Sequence, residues 1–391
     1  MPSSPPPSRP GPSARLIELD GLRGLAAAVV VIHHCLLTVP TFARVGAWPG
    51  VVPADPAARI LTQTPLHLLW AGHEAVLIFF VLSGTALVYP VARRHAQGRR
   101  FDWVDYAPRR IVRLWLPAAA STALAVTLTV LVPRSADALL GPWMTQAHPA
   151  GLSVRHLLLE LALQPRYAYR NTVLWSLHAE AVFSFLLPLV VLVVALAART
   201  RAWWLPAAAC LAVPAVTGDT RALVYVPVFV LGATAGWRWG HLDAIAPERP
   251  APWATPAALA CLVLVTIGWW PGLQGPVAGR LAAAVSLAAV AALVVLAVRA
   301  GALRALLRSR AVQYLGALSF SLYLVHEPVI VATRLLTASW SPWLVAPLAV
   351  AVTAPLTWLF HRYVEAPSHR LSRRAGRWVS SRVRRAARRA R

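Results

Sequence analysis

Residues 172–197 read TVLWSLHAEAVFSFLLPLVVLVVALA, and this stretch decides the fold class. From Phe183 to Leu196 it is almost wholly apolar, without the alternation of apolar and polar residues that marks a transmembrane β-strand. Its length matches the roughly 20 residues that an α-helix needs to cross a bilayer. Similar runs recur from residue 24 to residue 360. The sequence therefore predicts an all-α, polytopic membrane helix bundle.

The composition supports this class and excludes others. Hydrophobic residues make up 58% of the 391 residues and charged residues only 13%, whereas soluble domains carry about a quarter charged residues. All 38 basic residues are arginine, and the formal charge is +24. Because cytoplasmic loops of membrane proteins collect arginine, this charge does not indicate a nucleic-acid partner. The three cysteines lie in apolar runs without a CxxC pair, and no HExxH sequence occurs, so no metal site is predicted.

About ten spans can be placed from hydropathy. They cover residues 16–39, 68–90, 114–132, 172–197, 202–217, 221–237, 254–270, 278–298, 314–338 and 343–363. With the N-terminus in the cytoplasm, the inner segments hold 28 arginines and the outer segments nine. This asymmetry predicts that both termini are cytoplasmic. The predicted organisation is a disordered tail at 1–14, an integral-membrane domain at 15–368 and a basic tail at 369–391 that lies on anionic lipid headgroups.

Ionisable residues inside spans mark functional sites, and two of them share a helix face. Arg23 and His34 are 11 residues apart, which is three turns plus about 20°, or about 16 Å along the axis. His33 points about 100° away from His34. For Arg23 the alternative is an interfacial arginine, and for His34 it is a hydrogen bond between helices.

Three further clusters are candidates. Arg109, Arg110 and Arg113 follow Pro108 at helical spacing and suit a polyphosphate, although ordinary positive-inside charge is an alternative. Trp175, Ser176, His178 and Glu180 lie near the outer end of the fourth span, where the carboxylate needs a histidine or arginine partner. Ser319, Ser321, Tyr323, His326 and Glu327 lie in the ninth span.

Six motifs in chain order resemble those of the membrane acyltransferase 3 family. They are LDGLRG (19–24) with His34, FFVLSG (79–84), RRIVRL (109–114), WSLHAE (175–180), SFSLYLVH (319–326) and YVEAP (363–367). Two residues depart from the family pattern. Thr85 stands where an aromatic residue is usual, and Phe320 stands where a tyrosine is usual. No appended esterase-like domain is recognised, which is typical of the stand-alone form.

The resemblance implies transfer of an acyl group, acetyl or another short chain, from acyl-CoA to a hydroxyl. The acceptor is expected to be an envelope saccharide or a glycosylated natural product such as a macrolide antibiotic. The expected location is the bacterial plasma membrane, and no bound cofactor is expected. A proton-coupled transporter or flippase is the rival interpretation, although we see no inverted repeats.

The resemblance also assigns roles to residues. His34 is expected to be the base or a transient acyl carrier, and Arg109, Arg110 and Arg113 are expected to bind CoA phosphates. Arg23 is assigned to the pantetheine or phosphate end of the donor. Glu180 and His326 would hold the acceptor or orient groups near His34. Ser83 and Tyr323 are candidate oxyanion donors, and Trp175 and Ser176 are expected near the substrate.

Overall fold

The apolar runs form long helices, because in lipid every backbone N–H and C=O must be satisfied within its own segment. The computed structural model describes residues 17–47, 50–134, 140–146, 151, 153–164, 170–217, 222–242 and 250–389. Over these residues the chain forms helices joined by turns, with no strand, which confirms the all-α membrane bundle. The predicted disordered tail, 1–14, lies outside the described residues.

The helices, in chain order, are α1 Ile17–Leu37, α2 Pro40–Ala47, α3 Pro56–Gln63, α4 Gly72–Ala96, α5 Trp103–Leu131, α6 Gly141–Gln146, α7 Val154–Leu161, α8 Leu174–Ala198, α9 Leu205–Thr217, α10 Ala222–Gly240, α11 Ala254–Leu264, α12 Pro276–Leu296, α13 Gly301–Leu307, α14 Arg310–Leu336, α15 Pro342–Phe360 and α16 Ala366–Arg389. Short 3₁₀ segments cover Pro65–Trp70 and Ile267–Trp269. A π-helical turn, His361–Glu365, joins α15 to α16.

Seven helical segments of the described chain are long and apolar enough to cross a membrane. They are α1, α4, α5, α8, α12, α14 and the continuous segment from α15 through α16. The other three predicted spans coincide with α9, α10 and α11, and α9 and α11 have only 13 and 11 residues. The chain is therefore a multi-pass helical membrane protein, in whose described residues seven helical segments are both long and apolar enough to span, where about ten spans were predicted.

α14 lies at the centre of the bundle and α8 lies at its edge. Of the apolar window of α14, 78% is buried inside the protein, against 33% for α8. On α8 the large apolar side chains of Phe185, Leu189 and Leu192 are exposed. Contiguous apolar exposure of this kind suits contact with lipid tails rather than water.

Glycines set the closest helix contacts. A Cβ at Gly232 of α10 would lie 1.9 Å from the carbonyl oxygen of Val81, and one at Gly84 of α4 would lie 2.0 Å from that of Phe229. Small residues at such interfaces let membrane helices pack backbone to backbone. The glycine of the FFVLSG motif is therefore required for the α4–α10 contact.

Contacts between α1 and α14 show that these helices run parallel. Along α1, Ile17 contacts Gln313, Arg23 contacts Ser319 and His34 contacts His326, so the residue numbers rise in the same direction along both helices. Two parallel spans cross the membrane in the same direction, as the ten-span topology predicts for the first and ninth spans.

Candidate active site

Arg23 and His34, both selected from the sequence, face α14. The Nε of Arg23 donates to the Oγ of Ser319 at 2.8 Å, and a terminal nitrogen donates to the carbonyl of Gly316 at 3.1 Å. Farther along, Nδ1 of His34 lies 3.1 Å from Nε2 of His326. The shared face predicted from the helical phase is present in the structure.

His33 turns away from this face, as the residue next to His34 must. Its Nδ1 lies 2.9 Å from the carbonyl oxygen of Trp70, and its ring stacks on the Trp70 ring with centroids 5.6 Å apart. His33 is therefore bonded to the Trp70 side of α1, although its ring also lies edge-on to the ring of His34, with centroids 5.2 Å apart.

The hydrogen bonds of the histidine pair indicate which nitrogens carry protons. Nδ1 of His326 lies 2.9 Å from the carbonyl of Leu322, which can only accept, so this nitrogen donates and Nε2 of the neutral ring accepts. Nδ1 of His34 faces that Nε2 and also the carbonyl of Val30 at 2.9 Å, so it donates. Neutral His34 therefore has Nε2 as its basic nitrogen, on a buried residue.

A cavity of about 520 Å³ lies between α1, α4, α5, α8 and α14, beside the histidine pair. We call it the active-site cavity. It brings together eight of the residues selected from the sequence, namely Arg23, Ser83, Arg110, Arg113, Ser176, Glu180, Ser319 and Tyr323. Five separate motifs, far apart in the chain, therefore contribute to one cavity.

The partner of Glu180 in this cavity is Arg110. A terminal nitrogen of Arg110 donates to Oε1 of Glu180, and the same oxygen accepts from Oγ of Ser83 at 3.2 Å. Nε of Arg110 donates to Oγ of Ser184 at 2.8 Å. The prediction that this carboxylate needs a cation is met by an arginine of the RRIVRL motif. The described contacts of Glu180 are with these groups and not with His34.

The three arginines of RRIVRL all line one cavity of about 330 Å³, and two of them also reach the active-site cavity. Arg113 lines the active-site cavity, and no described carboxylate lies within ion-pair distance of its guanidinium. Arg109 pairs with Asp105 at 2.8 Å and points toward α16. Arg110 and Arg113 thus reach the active-site cavity, whereas Arg109 lies in the cavity next to it.

Two hydroxyl groups line the inner end of the active-site cavity, the end deepest in the bundle. The oxygens of Tyr323 and Ser176 are 2.8 Å apart. The Tyr323 ring also lies against the ring of His326, with centroids 5.9 Å apart. Tyr323 therefore stands between the active-site cavity and the His34–His326 pair, which is not part of the cavity wall.

Trp175 does not join this constellation. Its ring packs against Tyr225 at 4.9 Å and Phe80 at 5.9 Å, on a different side of α8 from Ser176. The tryptophan of WSLHAE therefore contacts the α4–α10 core of the bundle.

Several groups that line the active-site cavity have no role predicted from the sequence. Glu365, in the π-helical turn, accepts from Oγ of Ser321 at 2.5 Å and lies 3.0 Å from Nδ1 of His361. His361, Glu365 and His369 all line the active-site cavity. The YVEAP motif was the available signal, but its position at the end of a span indicated only a boundary.

Glu327 supports the start of α8. Its carboxylate accepts from the backbone N–H of Val173 at 2.9 Å and from the hydroxyl of Thr172 at 2.5 Å. An anion at a helix N-terminus is favoured by the unpaired N–H groups there. These bonds tie α8, and with it Ser176, to α14. In the described parts of the chain no three His, Cys, Asp or Glu side chains could share a metal ion.

Comparisons with known proteins point in one direction. A family model, acyltransferase 3, described as an acyltransferase domain, matches residues 16–362. The O-acetyltransferase PaAT-1 of Phomopsis amygdali is 35% identical over 117 residues, which are 29% of this chain and 22% of that protein. The chain thus matches about a fifth of that relative's length. No solved structure matches.

Proposed function

Because the chain belongs to the acyltransferase 3 family, we propose that it is a membrane O-acyltransferase that moves an acyl group from acyl-CoA to a hydroxyl of a saccharide or a glycosylated natural product. The observation that carries this proposal is the shape of the active-site cavity. Arginines line it, and its inner end adjoins the buried histidine pair. Such a cavity suits a donor whose anionic head stays near arginine while its thioester reaches the histidines.

Acyl transfer needs a base for the hydroxyl proton and donors for the thioester oxyanion. In the proposed reaction, Nε2 of His34 removes the proton of the acceptor hydroxyl as its oxygen attacks the thioester carbon. The C–S bond then breaks, and the proton passes from His34 to the departing CoA sulfur. The alternative is that His34 carries the acyl group transiently and passes it to the acceptor.

We match the residues of the site to different ends of the acyl-CoA donor by their positions. Arg23 is about 16 Å from His34 along α1 and is therefore matched to the pantetheine or phosphate end. The Tyr323 hydroxyl lies at the inner end, close to His326, and is the candidate oxyanion donor that lies closest to the histidine pair. Ser83 is bonded to Glu180 and is the second candidate.

The proposed acceptors point to the cell envelope and to the plasma membrane of a bacterium. The excess of arginine in the predicted inner segments, 28 against nine outside, supports a cytoplasmic side facing acyl-CoA. Membership of an acyltransferase family favours an enzyme over a proton-coupled transporter, which would move its substrate without consuming a thioester.

The test is a reconstituted reaction with defined acceptors. Purified protein in lipid nanodiscs receives acetyl-CoA with envelope saccharide fragments or with glycosylated macrolides, and release of the CoA thiol and the mass of the acceptor are followed. We expect thiol release that requires an acceptor, and an acceptor that gains one acetyl group. The same acceptor with its hydroxyls methylated is the matched control. Failure of every acceptor of both classes to stimulate thiol release would contradict the proposal.

A further inference from the structure

α16 docks on α5 instead of only resting on lipid. Oγ of Ser380 donates to Asp102 at 2.8 Å, and Arg384 donates to the same carboxylate at 2.5 Å. The backbone N–H of Asp105, the Ser380 hydroxyl and Arg384 hold the pKa of the Asp102 carboxyl below its usual value, so it stays anionic. At Gly376 a Cβ would lie 2.6 Å from the carbonyl oxygen of Asp105, so the two helices touch there.

α16 forms one wall of two further cavities, and the first of these adjoins the active-site cavity. The first, of about 330 Å³, shares Arg110, Arg113 and His369 with the active-site cavity. The second is a groove of about 720 Å³ that shares Arg94 and Arg109 with the first. Three adjoining cavities therefore follow one another from Tyr323 to the far edge of α16. We call the two outer cavities together the α5–α16 groove.

The α5–α16 groove is strongly cationic. Its walls carry eight arginines and two aspartates. The arginines are Arg94, Arg100, Arg109, Arg110, Arg113, Arg373, Arg377 and Arg384. Both aspartates already pair with arginine, Asp102 with Arg384 and Asp105 with Arg109. Arg110 pairs with Glu180 of the active-site cavity. The groove still has five further arginines, Arg94, Arg100, Arg113, Arg373 and Arg377, which suits an anion with several phosphates.

The active-site cavity has a second opening, between α1 and α4, which is less cationic. That opening is lined by Arg23, Arg93 and Arg94 with Asp20, and Asp20 pairs with Arg23 at 3.2 Å. The α5–α16 groove also has Phe101 on the walls of both its cavities, which offers an aromatic face to a base.

We propose that the α5–α16 groove binds the adenosine 3′,5′-bisphosphate end of a CoA-type donor, with α16 as one wall of the site. This inference rests on the proposed function, in which acyl-CoA is the donor. The nucleotide end carries a phosphate monoester and a diphosphate, about four negative charges at neutral pH. With the head in the groove, the pantetheine arm extends past Arg113 into the active-site cavity. The basic C-terminal segment is then part of the donor site and not only a membrane anchor.

Neighbouring arginines on α16 provide a matched test. Arg373 and Arg377 line the α5–α16 groove, whereas Arg370 and Arg374 line neither of its cavities. All four are exposed, so alanine at these positions should not disturb folding. The variants Arg373→Ala/Arg377→Ala and Arg370→Ala/Arg374→Ala lose the same charge from the same helix. Binding of CoA, and of adenosine 3′,5′-bisphosphate alone, is measured by calorimetry in nanodiscs of neutral lipid and in nanodiscs with anionic lipid.

We expect the first variant to bind both ligands about tenfold or more weakly in both lipids, and the second variant to bind like the wild type. Arg93→Ala, at the other opening, should also bind like the wild type. Equal weakening by both α16 variants, or weakening only with anionic lipid, would assign the arginines to lipid headgroups and overturn the inference. Weakening by Arg93→Ala alone would place the nucleotide at the other opening. Absence of CoA binding by the wild type would instead contradict the proposed function itself.

Discussion

At the residue scale, Glu180 and Arg110 form a partly buried ion pair in the wall of the active-site cavity, with side chains 19% and 12% exposed. Removing one partner leaves the other charge unpaired, so Glu180→Gln or Arg110→Gln alone should lower the free energy of unfolding by about 1–3 kcal/mol. The double variant should lose less than the sum of the two because neither charge is then left alone. Thermal unfolding in detergent, followed by tryptophan fluorescence, measures these differences.

The transfer rates of the same variants show whether Glu180 only holds Arg110 in place or takes part in the reaction. If Glu180 acts only through Arg110, Glu180→Gln should lower the transfer rate in the wild type but cost no further rate in the Arg110→Gln background, because the side chain that Glu180 holds is then already gone. Additive losses of stability would show that the two side chains do not depend on each other, which would contradict the ion pair.

His326 is expected to act by positioning His34. It accepts the Nδ1 proton of His34, so His326→Ala should let the His34 ring turn and should lower kcat about tenfold to a hundredfold, less than loss of the base itself. The KM for acyl-CoA should change little because His326 is not part of the cavity wall. Steady-state kinetics with acetyl-CoA checks this split. A raised KM with an unchanged kcat would assign His326 to donor binding instead.

The sequence predicted correctly the geometry that is local to one helix. Arg23 and His34 share a face because the helical period alone decides it, and both do contact α14. The partner of Glu180 could not be chosen, because Arg110 is 70 residues away and only the packing of α5 on α8 brings it near. The contact of Trp175 with Tyr225 depends on α10 in the same way.

At the element scale, hydropathy located the helices but not their ends. The third span was predicted at 114–132, whereas α5 begins at Trp103 and carries Arg109, Arg110 and Arg113 within the helix. Pro108 lies inside α5, one turn after its start. The last span was predicted to stop at 363, but the helix continues through the π-helical turn into α16. Arginine lowers hydropathy without breaking a helix, so a hydropathy boundary marks where the apolar run stops and not where the helix does.

Gly376 holds α16 against α5, and substitution there should release it. In Gly376→Ala the new Cβ would lie 2.6 Å from the backbone oxygen of Asp105, so the helix has to move away. We expect trypsin to cut the arginine-rich α16 several times faster, while the rest of the protein stays in the membrane. Gly275→Ala is the matched control because nothing lies within 4 Å of its Cβ. Unchanged cleavage in Gly376→Ala would contradict the docking of α16.

At the scale of the whole molecule, one end of the bundle collects the arginines. Contacts bring Asp102 to Arg384 and Glu18 to Arg304 and Arg308, so residues of the predicted inner segments do lie together. The sequence could predict this grouping from the distribution of arginine. Arginine-rich segments stay on the cytoplasmic side during membrane insertion, whatever the later packing of the helices.

The orientation of this end is testable directly. With 28 arginines in the predicted inner segments against nine outside, a reporter enzyme that is active only outside the plasma membrane should stay inactive when fused after residue 391. The same reporter inserted in the predicted outer segment 133–171 should be active. An active C-terminal fusion would contradict the cytoplasmic C-terminus and, with it, access of the α5–α16 groove to CoA.

The central claim is that Nε2 of His34 carries the proton in acyl transfer. Membranes that contain wild type, His34→Ala or His33→Ala at matched levels receive radiolabelled acetyl-CoA and an acceptor, and the label that reaches the acceptor is counted. His34→Ala should lose nearly all transfer, about 10²–10⁴-fold, because the base is gone. His33→Ala should keep a substantial fraction because Nδ1 of His33 is bonded to the carbonyl of Trp70 and its ring stacks on that side chain, whereas His34 faces His326. Near-normal transfer by His34→Ala together with an inactive His33→Ala would contradict the account and place the catalytic face elsewhere on α1.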